Sequence, residues 1–303
     1  MPRRPAITTS GLSKSYGRQL ALVDVDLSVD AGEIFGYLGP NGAGKSTTLR
    51  ILMGMLRPTS GSATVLGFDC WSSAPRVHRR VGYVPGELAL YEKMTGSDHV
   101  SYFGQVGARR GGFRAADIAE RLDLDLGKPV RVMSRGNRQK LGLVLALMSS
   151  PELLILDEPT TGLDPIMQRE FDAILREHTA AGGTVLLSSH LLSEVQQVAD
   201  RIGMLREGRL IAVEKLHTLR QKSLHHVVVE FDRPVRADAF RDVKGVRNLD
   251  VDGETLRCDA PEQALNELVH RIAQFTVVDL ECAEADLEET FMTYYGTESS
   301  DVS

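Results

Sequence analysis

Cysteine is scarce in this chain, three in 303 residues, and Cys70, Cys258 and Cys282 lie too far apart to form a C-x-x-C pair. That spacing excludes a zinc ribbon and a disulfide framework, and it fits a reducing compartment. Long apolar runs are lacking as well: the best, Leu141 to Met148, falls well short of the ~18 residues that a spanning helix needs. A role at a membrane would therefore require another chain to cross it. The start, Met1-Pro2-Arg3-Arg4-Pro5, has no apolar core of the kind found in a secretory leader. An excess of positive charge is missing too. The formal net charge is −6, which argues against nucleic acid as a partner, and the Arg76 to Arg80 run reads as a solvated face. No internal repeat is evident. At 42% hydrophobic and 25% charged, the composition suits one large domain plus a small one.

The most informative segment present is Gly39-Pro40-Asn41-Gly42-Ala43-Gly44-Lys45-Ser46-Thr47, between an apolar strand-like stretch (Ile34 to Leu38) and an apolar helix-like run (Leu49 to Leu56). Backbone N–H groups must wrap closely around a polyphosphate, and Gly39, Gly42 and Gly44 permit that approach. Lys45 reaches the outer phosphates, Ser46 is suited to ligate Mg²⁺, and Thr47 adds a phosphate contact. The helix that follows points its partial positive end at the anion. These residues predict a nucleoside triphosphate site.

Two further strands end in chemically capable residues. Leu153 to Leu156 is apolar throughout, as suits a strand buried on both faces of a parallel sheet, and it delivers Asp157-Glu158. Thr184 to Leu187 delivers Ser188-Ser189-His190. In open α/β sheets ligands gather at the carboxyl ends of strands, so Lys45, Asp157, Glu158 and His190 are expected to converge. Asp157 would then hold the Mg²⁺ shell, Glu158 would polarise the attacking water, and His190 would hydrogen-bond the terminal phosphate.

With Thr160-Thr161-Gly162-Leu163-Asp164-Pro165, these stretches resemble an ATP-binding-cassette (ABC) ATPase over roughly residues 8 to 215. The resemblance implies an α/β P-loop NTPase: a RecA-like core, an N-terminal β subdomain and a helical subdomain at about 86–150. Together these form an ABC domain over 1–220. Met133-Ser134-Arg135-Gly136-Asn137-Arg138-Gln139 stands in place of the family's Leu-Ser-Gly-Gly-Gln signature, where Ser134, Gly136 and Asn137 would meet the γ-phosphate held by an opposite subunit. Physically, Ser134 reads as a helix N-cap. The resemblance further gives Tyr16 a stacking role on adenine and makes Asp164 a link between two sites. One loop and one signature call for a second cassette, a homodimer by preference. The resemblance implies ATP and Mg²⁺ as ligands and a separate multi-span permease as partner. It places the chain in the cytoplasm, on the inner face of the cell membrane, with Leu88, Leu90, Tyr91 and Met94 as an apolar seat for the permease.

The sequence departs from the family pattern where Gly86-Glu87 replaces the usual Gln and where Arg135 replaces a glycine. The competing readings are a soluble cassette ATPase acting on ribosomes or DNA, and a small-molecule kinase. The first lacks the two cassettes or long arms it usually shows, and the second leaves Ser134-x-Gly136 and His190 without purpose.

From 221 to 303 the pattern changes to β-α-β-β-α-β: a strand at Val227–Phe231, a helix at 235–243, a strand at Val246–Val251, an Asp252-Gly253 hairpin, a strand at 254–258, a helix at 261–274 and a strand at 276–280. This small α+β domain is compatible with a ferredoxin-like sandwich. A terminal helix over Asp286–Tyr295 presents Leu287, Phe291 and Tyr294 to one side. This part resembles the C-terminal extension of drug-exporter ATPases of the daunorubicin-resistance type, which implies export of a drug-like or lipid-like compound.

Overall fold

Strands made of unbroken apolar residues need cover on both faces, and here helices supply it. The computed structural model describes residues 4–106, 114–216, 218 and 224–284, and the chain divides into two units, Met1–Val213 and Glu214–Ser303.

The first unit opens with β1 (Pro5–Tyr16), β2 (Gln19–Val25), β3 (Ser28–Asp30) and β4 (Ile34–Leu38), followed by α1 (Lys45–Leu52). Then come β5 (Ser60–Val65), β6 (Phe68–Asp69), α2 (Ala74–His78) and β7 (Val81–Val84). A helical lobe follows, α3 (Gly96–Val106), α4 (Ala115–Arg121) and α5 (Arg135–Leu147). The remainder is β8 (Leu153–Asp157), α6 (Pro165–Ala180), β9 (Thr184–Ser189), α7 (Leu192–Val198), β10 (Arg201–Arg206) and β11 (Arg209–Lys215).

One sheet is antiparallel, ordered β2-β1-β5-β6, with β3 also on β1. The other is ordered β11-β10-β4-β9-β8-β7 and is parallel from β10 to β7. Every residue of β4, β8 and β9 is buried. Helix α1 touches β2 and β5 of the first sheet and β8 of the second. Ile7, Leu22, Phe35, Leu49, Val65 and Ile155 thus share one core. Burying each such side chain is worth about 1.5–3 kcal/mol.

In the lobe, α5 buries Leu141, Leu143, Val144 and Leu147. A Cβ at Gly142 would lie 2.8 Å from the Leu88 methyls, so Leu88 is committed to packing on α5. It contributes little to an exposed seat, whereas Tyr91 stands 56% exposed. Arg121 on α4 ties the lobe to α6, pairing with Glu170 and, at 2.7 Å, with Glu177.

The second unit contains β12 (Leu224–Phe231), β13 (Arg247–Asp252), β14 (Thr255–Pro261), α8 (Glu262–Ile272) and β15 (Val277–Glu284). Its antiparallel sheet is ordered β13-β14-β12-β15, which places the first strand between the third and the fourth. Asp252 pairs with Thr255 across a tight turn in which Gly253 takes φ +58°, the left-handed region that glycine enters at little cost. The helix expected over 235–243 is reduced to one 3₁₀ turn, Ala237–Ala239. Val235, Phe240 and Val243 are all buried, but the Val235 amide donates to Gly253 O on the hairpin and the Phe240 and Val243 amides donate to carbonyls three residues back, so no α-helical ladder forms. Phe231, Phe240 and Phe275 instead form an aromatic cluster with centroids 5.6–6.1 Å apart.

The breaks read at 107–112 and the terminal helix read over Asp286–Tyr295 lie outside the described residues. Among the described residues no helix is long and apolar enough to cross a membrane.

Candidate functional site

Strand order brings the chemistry together. Leu38, the last residue of β4, pairs with Ser189 on β9, and Asp157, the last of β8, pairs with Ser188. With β9 between β4 and β8, the loop after Leu38, the Asp157-Glu158 pair and the Ser188-Ser189-His190 run emerge side by side, roughly 4.8 Å per strand apart.

The loop 39–47 wraps the start of α1. Gly44 is the N-cap at φ +109°, with no side-chain cap and no acidic residue in the first turn of the helix. The first amides of a helix have no intrahelical acceptor, so this end is built to receive an anion. A Cβ at Gly44 would meet Ala21 O at 2.5 Å, and one at Gly39 would meet Leu205 O at 2.2 Å, so space requires both glycines and the dihedral requires Gly44 as well. Tyr16, Leu20, Pro40, Asn41, Gly42, Ala43, Lys45, Ser46, Thr47 and Glu158 line a cleft of 470 Å³. Tyr16 stands 45% exposed at its rim, with the Lys14 ammonium 5.2 Å from its ring centroid.

Lys45 is only 6% exposed. Its ammonium donates to Gly39 O and to Pro40 O (3.3 Å), and it pairs with Glu158 Oε1 at 3.4 Å. The other Glu158 oxygen, Oε2, lies 2.7 Å from His190 Nδ1. Glu158 thus bridges the cation of the phosphate loop and the imidazole after β9. Its backbone is left-handed, φ +51°, a conformation that costs a non-glycine residue about 1–2 kcal/mol. Two bonds hold it there: Glu158 N donates to Ser188 O and to Ser188 Oγ, each at 3.2 Å.

Ser188 is a residue that sequence reasoning missed. Its hydroxyl also donates to Asp157 Oδ1 at 2.6 Å. That contact leaves Asp157 Oδ2 facing Gly86, whose Cβ position lies 3.3 Å away. Glycine at 86 therefore presents no side-chain donor to this carboxylate, and Glu87 beside it is exposed. Arg50, also unforeseen, lines the cleft one turn beyond Lys45 on α1. Nothing in the neighbours of Ser188 along the chain gives it this role, because Asp157 arrives from another strand.

Other residues singled out in the sequence stand off the wall of this cleft. Ser134 is the N-cap of α5, accepting from Asn137 N at 3.2 Å. Gly136 packs on the loop after β8, where a Cβ would lie 2.5 Å from Gly162 O. Gln139 Nε2 donates to Pro159 O at 3.0 Å, so the start of α5 is fastened to the loop carrying Glu158. Asp164 caps α6, accepting from Ile166 N and Met167 N at 3.0 Å each, and the Met167 amide foremost holds its carboxyl below the usual carboxylate range.

An ABC transporter family model matches residues 22–161. The chain is similar to the daunorubicin resistance ATP-binding protein DrrA3 of Streptomyces coeruleorubidus, 44% identical over 68% of this chain and 67% of that protein. It is also similar to the daunorubicin/doxorubicin resistance ATP-binding protein DrrA of Streptomyces peucetius, 35% identical over 98% of this chain and 94% of that one. A solved structure of the ATP binding subunit of an ABC transporter matches with a TM-score of 0.67 at 30% identity, covering 72% of this chain and 92% of that chain.

Proposed function

The chain belongs to the ABC transporter family as an ATP-hydrolysing subunit, and from that premise we propose that it powers a separate multi-span permease which exports a drug-like or lipid-like compound. It would work as a head-to-tail dimer at the inner, cytoplasmic face of the cell membrane. The observation that carries the catalytic part is the Lys45–Glu158–His190 bridge beside Asp157 at the carboxyl ends of three adjacent strands. The daunorubicin resistance proteins, similar over most of the chain, support the export part.

ATP enters with its phosphates on the loop 39–47 and its base near Tyr16. Lys45 then exchanges its internal partners for phosphate oxygens, which releases one Glu158 oxygen to orient and deprotonate the attacking water. His190, donating through Nδ1, holds the other oxygen and turns its far nitrogen toward the terminal phosphate. Ser46 and Asp157 offer hard oxygen donors suited to Mg²⁺. When bound, that ion neutralises charge on the phosphates. Ser134, Gly136, Asn137 and Asp164 would act against the nucleotide of a second subunit, as the family resemblance implies.

The test is transport in inside-out vesicles holding this chain and the multi-span protein that co-purifies with it from native membranes. ATP-driven uptake of an anthracycline is the expected result. Lys45→Ala should abolish it and weaken ATP binding about 100-fold, the loss of charged hydrogen bonds worth about 3 kcal/mol. Vesicles that hydrolyse ATP yet accumulate no compound from a panel of drugs and lipids would overturn the export reading.

A further inference from the structure

The turn carrying His190 is held by a part-buried hydrogen-bond relay with no role in the catalytic steps. Ser189, the last residue of β9, is fully buried. Its carbonyl accepts from Gly39 N, the first residue of the phosphate loop, at 3.3 Å. Its hydroxyl donates to Glu194 Oε2 at 2.7 Å and accepts from Leu191 N at 3.0 Å. His190 lies between the two residues so joined.

The directions of these bonds follow from chemistry. An ionised carboxylate only accepts, so the Ser189 proton must point at Glu194, and the lone pair left over is the one that receives Leu191 N–H. The 2.7 Å separation is that of a charge-assisted O–H···O⁻ bond, about twice as strong as a neutral one. Leu191 is also the N-cap of α7 and makes no side-chain cap bond; what the Ser189 hydroxyl receives is the amide of this N-cap residue itself. Glu194 sits in the first turn of α7, where a negative charge is favourable. Without the carboxylate, the hydroxyl is free to rotate and the Leu191 amide loses its fixed acceptor. The peptide between His190 and Leu191 is then no longer pinned, although the Ser189 carbonyl stays on Gly39 N.

We propose that Glu194, acting through Ser189, is a positioning residue for hydrolysis that sets the His190 ring against Glu158. This rests on Glu158 and His190 forming the hydrolytic pair.

The test uses the full chain with ATP, measuring kcat, KM and the ¹³C NMR signal of the His190 ring, assigned by its loss in His190→Ala. Glu194→Leu, which keeps the packing volume but cannot accept, and Ser189→Ala should each lower kcat about tenfold, with KM for ATP within twofold of wild type. Both should move the His190 signal. Because the two residues act in one relay, the double variant should be no slower than the worse single one. Glu194→Gln, whose amide oxygen still accepts, should stay within threefold of wild type and leave the signal in place. The proposal is overturned if KM rather than kcat changes, if the two losses multiply, or if Gln is no better than Leu. Should Glu194→Leu fail to fold, the comparison of Ser189→Ala with Glu194→Gln decides alone. A His190→Ala variant that hydrolyses ATP normally would instead overturn the catalytic reading beneath it.

Discussion

Replacing Glu158 by Gln should separate the two roles proposed for this carboxylate, base and counter-ion. As the base, Glu158 contributes the 10²–10⁴-fold typical of a positioned proton acceptor, so kcat should fall by about that factor. As the counter-ion of Lys45, it competes with the phosphates of ATP. At 3.4 Å the attraction is about 5 kcal/mol for an effective dielectric of 20, but desolvation of both ions offsets most of it. A net of about 1 kcal/mol remains, so Gln at this position should tighten ATP binding about fivefold rather than weaken it. Gln keeps the shape and one acceptor for His190 Nδ1, so the turn after β9 should stay in place. Titration with a fluorescent ATP analogue gives the affinity, phosphate release gives kcat, and size-exclusion chromatography with ATP shows whether a dimer accumulates once hydrolysis stops. Hydrolysis within threefold of wild type would remove Glu158 as the base. ATP binding tenfold weaker would refute its role as a competitor for Lys45.

Gly44→Ala should be costly, because a φ of +109° strains any side chain and the new methyl would sit 2.5 Å from Ala21 O; a stability loss of about 2–3 kcal/mol in denaturant, with weaker ATP binding, is expected, and unchanged stability would contradict the loop geometry. Asp172, buried on α6, has its carboxyl raised to about 6, mainly by burial and secondarily by Glu194, with Arg176 opposing. Above pH 6 both folded and unfolded chains carry the charge and the folded state bears its cost; as pH falls from 6 toward 4 the folded state takes up the proton first, so this group makes the protein more stable, by at most about 3 kcal/mol. Asp172→Asn should raise stability at pH 7.5 and flatten the urea midpoint between pH 4 and 7, and an unaltered pH profile would count against this assignment.

The local chemistry was legible in the sequence wherever one stretch of chain does the work. The glycines and Lys45 of 39–47 specify an anion-binding turn whatever surrounds them, because close approach, positive dihedrals and helix amides are properties of consecutive residues. Ser134 as an N-cap, and β8 as a strand buried on both faces, follow from equally local rules, whereas the resemblance makes Asp164 a link between two sites and does not anticipate its capping of α6. The helix read over 235–243 is not formed because the Val235 amide is taken by Gly253 O, a partner from the distant hairpin that helix propensity does not anticipate.

What only the tertiary structure decided is which strand ends are neighbours. Strand β9 lies between β4 and β8, although it follows both in the chain, and that order alone sets Ser188 against Asp157, Glu158 between Lys45 and His190, and Ser189 against Gly39. The sequence by itself determined the chemical groups and their local turns. The packing of apolar strands between helices determined their partners, because burial rewards apolar area without regard to separation along the chain, so contacts across more than a hundred residues leave no local pattern.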